Sequence, residues 1–342
     1  MSQAQVSITE EWVLGPEHTP FYTKSWSSTG EIRAHVVFVH GFAEHIERYS
    51  AFFARLAPLA NLNILAFDQR GYGRTSQAPL TASSPEVKKW REEGQVVKLE
   101  KNGKRRTGGW GKVFSDIEWF LKKQSERARG KPLFLWGFSM ASLGGGEVLA
   151  FPIRPTPPSQ DTVRLLSGVI AGGPLIRLYN PAPSYQACAA GTIAANLGLG
   201  SFVIPTPIDY THLSHNSEIN EKAKADPFCE QTGSLRGVGD MINGGAWLDS
   251  SDAWERWPHQ LPVLLYHGGE DNICHVAATK RFAEGIKSVD KTIKIFEGMY
   301  HEVHNELEPV PTKLIQTITE WINARTPTTT GAAQPLPSQS KL

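Results

Sequence analysis

The sequence predicts an α/β fold: a mostly parallel central sheet flanked by helices, with a helical cap inserted over one edge. Three observations predict it. Short apolar runs ending at glycine or a polar cluster recur between helical patterns, as in buried parallel sheets. That rhythm lapses between Arg177 and about Pro258, where the chain turns Ala/Gly/Asn-rich and Pro-broken. The chain has 342 residues, 40% of them hydrophobic, enough for one large domain with an insertion.

The strands are read at "AHVVFVHG" (34–41), "NILAFDQRG" (63–71), "PLFLWG" (132–137), "LLSGVIAGG" (165–173), "PVLLYHGG" (262–269) and "TIKIFEG" (292–298). Residues 1–31 form a lead-in, 32–176 and 258–325 the core, 177–257 the cap, and the Thr/Pro/Ser/Gln-rich 326–342 a flexible tail. Within the cap, "PSYQACAAGTIAANLGLGSF" (183–202) has a small-residue apolar helical face, as a lid over the reactive edge would. The charged, glycine-interrupted segment 84–109 reads as a solvated insertion loop, with a membrane-surface or partner patch as the alternative.

A formal net charge of +1 leaves no electrostatic footprint for nucleic acid or an anionic membrane. Three cysteines, Cys188, Cys229 and Cys274, imply no disulfide framework and fit a reducing compartment. "MSQAQVSITEEWVLG" has neither the basic start nor the apolar run of a secretory signal, and no apolar stretch approaches the roughly 20 residues of a membrane span. The expectation is a soluble intracellular protein. The last residues, Ser340-Lys341-Leu342, match the S-K-L peroxisomal address, so an import receptor is an expected partner and the peroxisome the expected location. The cytoplasm or a lipid-droplet surface is the alternative.

In open parallel sheets, chemistry gathers where strands end. Acyl transfer by serine needs a hydroxyl, an imidazole, a carboxylate to orient it and amide donors for the oxyanion. Ser139 follows the run "PLFLW" with Gly137 two residues before it, the strand–turn–helix setting of a nucleophile elbow. Asp271, in "YHGGEDNICH", leaves an apolar strand, and Glu270 competes with it. His301, in "FEGMYHEVHNE", follows the last strand, with His304 as competitor. The order Ser, acid, His is that of an α/β-hydrolase. The turn at His40-Gly41-Phe42 can aim the Phe42 amide at the oxyanion, and the Met140 amide is the second donor. No metal or organic cofactor is required.

Together "VFVHGFAEHIERY", "FDQRGYGRTS", "LFLWGFSM", "GGPLI", "PVLLYHGGEDNIC" and "KTIKIFEGMYHEVHNE" resemble the monoacylglycerol lipases, of fungal type, within the α/β-hydrolase superfamily. The likeness runs from about Ile32 to Arg325. It implies a Ser139-Asp271-His301 triad releasing fatty acid and glycerol from monoacylglycerol. It also implies that groups near Glu44, Arg48 and His304 hold the glycerol, and that an apolar cap touches membranes or droplets. An i,i+4 surface ion pair is the plain alternative for Glu44 and Arg48. Cys274 lines the pocket or is simply a buried small hydrophobe.

The chain departs from the family's G-x-S-M-G-G pattern, because Ala141-Ser142-Leu143 stand between Met140 and Gly144. Ser142 thereby becomes a rival nucleophile, lacking a glycine two residues before it. The other readings are a lysophospholipase or broad carboxylesterase, and a catalytically impaired hydrolase fold that binds lipid.

Overall fold

A computed structural model describes residues 5–99, 103–139, 147–154, 158–179 and 195–327. The main sheet has eight strands in the order β1-β2-β4-β3-β5-β6-β9-β10. These are β1 Val6–Leu14, β2 Pro20–Ser28, β3 Ala34–Val39, β4 Leu62–Phe67, β5 Leu133–Phe138, β6 Leu166–Gly172, β9 Val263–Gly268 and β10 Lys291–Phe296. The six strands read from the sequence pair in parallel.

Residues 6–28, read as lead-in, are instead two antiparallel strands that extend the sheet beyond β4. Their polar composition concealed them. In β2, Thr23, Lys24 and Ser25 are buried. Lys24 is accommodated because Glu47 (2.6 Å) and Glu10 (3.0 Å) hold its ammonium. β1 is an edge strand whose exposed Glu10 and Glu11 discourage further pairing.

Alternate residues of the central strands feed two cores. Val37, Val39, Leu133, Leu135, Val169, Val263 and Leu265 face one layer, packed under the helices Trp110–Ala128 and Val276–Gly285. Val36, Phe38, Phe134, Trp136, Ile170 and Leu264 face the other, under Ser50–Ala60 and Val310–Asn323. Burial on both faces explains why these strands read as continuous apolar runs. Helix Trp110–Ala128 buries Val113, Phe114, Ile117, Phe120 and Leu121 at three- and four-residue spacing, and stops at Arg129, which adopts a left-handed φ of 49°.

The region 177–257, expected to form the cap, contains helices Ser217–Ala225, Leu235–Leu248 and Ser251–Glu255, each capped by the side chain before it: Asn216, Ser234 and Ser250. It also carries a ribbon that the helical reading did not include, β7 Val203–Pro205 against β8 Thr232–Ser234. Residues 183–194 of the expected apolar face lie outside the described residues.

Segment 84–109 is not a solvated loop throughout. Pro85–Glu92 is a helix, and 103–109 is threaded between core and cap. Arg105, only 2% exposed, donates its backbone N–H to the Gly71 carbonyl (2.7 Å) and accepts from Ser234 N–H (3.1 Å). Its guanidinium donates to the carbonyls of Phe228 (3.2 Å) and Pro227 (3.5 Å) and lies over the Tyr72 ring. A buried arginine is tolerated where carbonyls, a ring face and a carboxylate, here Glu230 at 3.6 Å, meet its guanidinium. A charge count sees only the charge.

Candidate active site

Strand β5 delivers Ser139 at a φ of 52°, in the left-handed region where a non-glycine residue costs about 1–3 kcal/mol. The segment after β6 holds it there: Ser139 N–H donates to the Gly172 carbonyl (2.7 Å), and Leu175 N–H donates to the Ser139 carbonyl (3.2 Å). Gly137 is the small neighbour that a sharp turn under the serine requires. It lies within β5, and a Cβ there would fall 2.6 Å from Val148 Cγ1, on the helix that follows the elbow. The glycine lets that helix approach the strand.

The hydroxyl of Ser139 lies 2.6 Å from His301 Nε2, and His301 Nδ1 lies 2.6 Å from Asp271 Oδ2. Asp271 Oδ1 accepts the amides of Ile273 and Cys274, both at 2.8 Å. A second ring, that of His267, approaches Asp271 Oδ2 to 2.9 Å through Nε2. Burial pushes the Asp271 carboxyl up, but the charge of His301 and the hydrogen bonds of both histidines outweigh it and hold the group well below the usual carboxylate range. Burial pulls His301 down, yet the Asp271 carboxylate raises it well above its ordinary value. The pair is therefore built to carry a charged imidazole.

The competitors separate cleanly. Glu270 is exposed, whereas Asp271 is buried and faces the imidazole. His304 is buried, without a partner at Nδ1 among the described residues, stacked on Tyr49 at 4.8 Å and edge-on to Phe138 at 4.6 Å. Cys274 is fully buried, its sulfur within 4.8 Å of the His301 and Asp271 ligand atoms, and burial raises its thiol pKa. It is wall, not nucleophile. Met140 and Ser142 lie outside the described residues.

The turn after β3 is rigid. His40 Nδ1–H donates to the Gly41 carbonyl (2.7 Å), while Gln69 N–H donates to His40 Nε2 (3.0 Å) and its side-chain amide to the His40 carbonyl (2.7 Å). Burial pushes His40 down to about 3, so it stays neutral and keeps this arrangement near pH 7. A Cβ on Gly41 would lie 2.3 Å from Glu44 Oε1 and 3.3 Å from Ser139 Cβ, so glycine is what allows the turn to pass beside the serine. Ala43 then takes a φ of 50°. Among the described residues the Phe42 N–H has no hydrogen-bond partner, as an amide reserved for a ligand oxygen would require.

Glu44 and Arg48 are not a surface pair. Glu44 is 5% exposed; it accepts the Gly41 N–H and the Tyr49 hydroxyl, and burial holds its carboxyl above the ordinary value. Arg48 Nη2 donates to both oxygens of Glu302 at 2.7 Å, and Nη1 stands 3.7 Å from Glu44. Glu302 adjoins His301 in sequence, so this buried cluster anchors the histidine loop. The cap anchors it too: Glu302 N–H donates to the Leu213 carbonyl (2.6 Å).

A serine at a left-handed turn, bonded to an imidazole that is bonded to a buried carboxylate, is common to many hydrolases, so wider comparison is informative. The profile of the Hydrolase_4 family, described as "serine aminopeptidase, S33", matches residues 30–308. The chain belongs to that hydrolase family. A Schizosaccharomyces pombe protein is 30% identical over 307 residues, covering 88% of this chain and 70% of that one. The Saccharomyces cerevisiae monoglyceride lipase is 28% identical, covering 88% of each chain. The human monoglyceride lipase is 27% identical, covering 92% of this chain and 90% of that one. A crystal structure of a soluble variant of the S. cerevisiae enzyme with a substrate analog superposes with a TM-score of 0.74 at 24% identity, over 96% of this chain and 98% of that one. The chain is thus an α/β hydrolase of monoglyceride-lipase type, with the mostly parallel, helix-flanked sheet expected of one.

Two members of this hydrolase's site, His267 and Glu302, were not singled out from sequence, whereas Gln69 lies in the strand-end stretch 68–70 that the sequence does point to. Each is polar and buried. His267 and Gln69 carried a readable signal, since both stand at or just beyond the C-terminal end of an apolar strand, the same signal that selected Asp271.

Proposed function

We propose that this chain is a serine esterase that hydrolyses monoacylglycerol to a fatty acid and glycerol. The observation that carries the reading is the Ser139–His301–Asp271 chain, with 2.6 Å at both links and the serine at a left-handed φ. Ser139 Oγ attacks the ester carbonyl while His301 Nε2 takes its proton. Asp271 fixes the ring and stabilises the imidazolium. The Phe42 and Met140 amides receive the oxyanion, each worth about 2.7–4 kcal/mol in the transition state. His301 then protonates the departing glycerol, and water, deprotonated by His301, releases the acyl group from Ser139.

The substrate class is supported by the named activity of the yeast and human relatives. Glu44, Arg48 and His304 form the polar end that selects the glycerol head, Glu44 lying beside the serine across Gly41. Residues 32–176 and 258–325 act as catalytic core and 177–257 as cap. Leu197, Leu199 and Phe202, exposed by 77%, 55% and 65%, give the cap an apolar tip through which it collects lipid from a membrane or droplet surface.

A fluorophosphonate probe tests the chemistry. The expected result is one adduct on Ser139, absent in Ser139→Ala, with monoacylglycerol hydrolysed faster than lysophospholipid, a short-chain ester or an aminoacyl anilide. A folded, unlabelled protein would instead support a lipid-binding module, and a preference for another substrate would reassign the specificity. Peroxisomal import through Ser340–Leu342, which lie outside the described residues, is proposed from sequence alone. A fluorescent fusion should become punctate and lose that pattern when the three residues are removed.

A further inference from the structure

Asp271 carries more than a triad acid needs. His267, fully buried at the end of β9, turns Nε2 toward two groups that can only accept: Asp271 Oδ2 at 2.9 Å and the Cys274 carbonyl at 3.2 Å. In either charge state of the ring, the proton facing them is therefore on Nε2. The other nitrogen, Nδ1, lies 2.9 Å from the hydroxyl of Thr279, which is itself fully buried on the helix Val276–Gly285. The ring is thus held at both nitrogens and cannot flip without breaking a buried bond.

We propose that His267 is a positioning residue for the ester hydrolysis: it fixes the Asp271 carboxylate by donating to the same Oδ2 that receives His301 Nδ1–H. With the Ile273 and Cys274 amides on Oδ1, the carboxylate then has four donors and no freedom to rotate. Spreading its charge over four donors also moderates its pull on the His301 proton, keeping the imidazole able to release that proton to the leaving alkoxide. The proposal rests on the reading of Ser139, His301 and Asp271 as the reacting groups. The other groups facing the Asp271–His301 pair are Cys274, Ser139, Glu302, His304 and, through Glu302, Arg48. All are left unchanged in the test.

The test uses the low-field proton NMR signal of the His301 Nδ1–H and its titration, with fluorophosphonate labelling rate against pH as a second readout. His267→Phe removes the donor at similar volume. Its His301 midpoint should rise by about half a unit to one unit, and labelling at neutral pH should slow by about tenfold. His267→Gln places an amide N–H near the lost Nε2 and should return both values most of the way to wild type, which mere filling of space would not do. Thr279→Val removes only the hydroxyl that steadies the ring and should move the midpoint the same way, by less. It carries the test if His267→Phe does not fold. An unchanged midpoint in His267→Phe or, failing that, in Thr279→Val overturns the proposal. A wild-type protein that never labels at Ser139 defeats the esterase reading instead, while the titration still reports on His267.

Discussion

The Arg48–Glu302 pair makes a prediction in which loss of charge and loss of packing can be told apart. Arg48 donates to both Glu302 oxygens at 2.7 Å, with side chains 11% and 3% exposed. Charge centres about 4 Å apart attract by about 4 kcal/mol at an effective dielectric of about 20. Removing one partner of such a pair typically costs about 3–5 kcal/mol, because the other is left buried and uncompensated. Arg48→Met should therefore lower the apparent Tm by about 6–10 °C, at roughly 2 °C per kcal/mol for a chain of this size.

Glu302 is pushed up by burial but held below its ordinary range by Arg48, so in the native protein it contributes stability above the ordinary carboxylate range, lost as pH falls through its folded value. Without Arg48, burial leaves it raised, so the defect is largest at high pH and shrinks as pH falls and Glu302 takes up a proton. The double variant Arg48→Met/Glu302→Gln removes the stranded charge while keeping an acceptor for the Asn305 amide, now 2.7 Å from Glu302 Oε2. Thermal unfolding should recover at least half of the single-variant loss. A double variant as unstable as Arg48→Met, or a defect independent of pH, would refute the stranded-charge account.

Gly137→Ala should cost about 1–3 kcal/mol through the collision with Val148, measured by denaturant unfolding, and Val148→Ala in the same chain should recover part of it. The wild-type labelling rate should rise with pH through a midpoint above 6.5, since Asp271 raises His301 and only the neutral ring can accept the serine proton. Asp271→Asn should move that midpoint down and slow turnover by about 10⁴-fold, read from the pH–rate profile. Arg105→Ala, by freeing the Phe228 and Pro227 carbonyls, should make residues 199–234 the first site cut in limited proteolysis, with the core left whole.

The legible parts of the chain were those where one physical effect dominates. Strands buried on both faces must be apolar, so β3 to β6, β9 and β10 could be read directly, and Ser139, Asp271 and His301 followed from standing where those strands end. Glu270, at the same strand end, stayed a competitor until its exposure separated it from the buried Asp271. The illegible parts are polar groups that burial has satisfied with partners distant in sequence. β2 was read as lead-in because its polar residues are satisfied inside the protein rather than by water, Lys24 by the Glu47 carboxylate and Thr23 by the Glu11 carbonyl. For Glu44 and Arg48 a helix-surface pair stayed open as the alternative because the partner that decides their setting, Glu302, lies 254 residues away from Arg48. Arg105 was invisible for the same reason: a sequence shows the cost of burying a charge but not the carbonyls that offset it.

The threading of 103–109 between core and cap bears on how this enzyme can be recombined with its relatives. The natural exchange points for a cap transplant are its two junctions with the core, near 177 and 257. Here those cuts would leave behind the segment whose backbone meets Gly71 on one side and Ser234 on the other, with Arg106 reaching the Ser201 carbonyl. A chimera that moves the cap alone carries a ribbon whose neighbouring backbone has stayed with the old parent. The unit to be exchanged is discontinuous: 103–109 and the region 177–257, with residues 110–176 between them, must travel together.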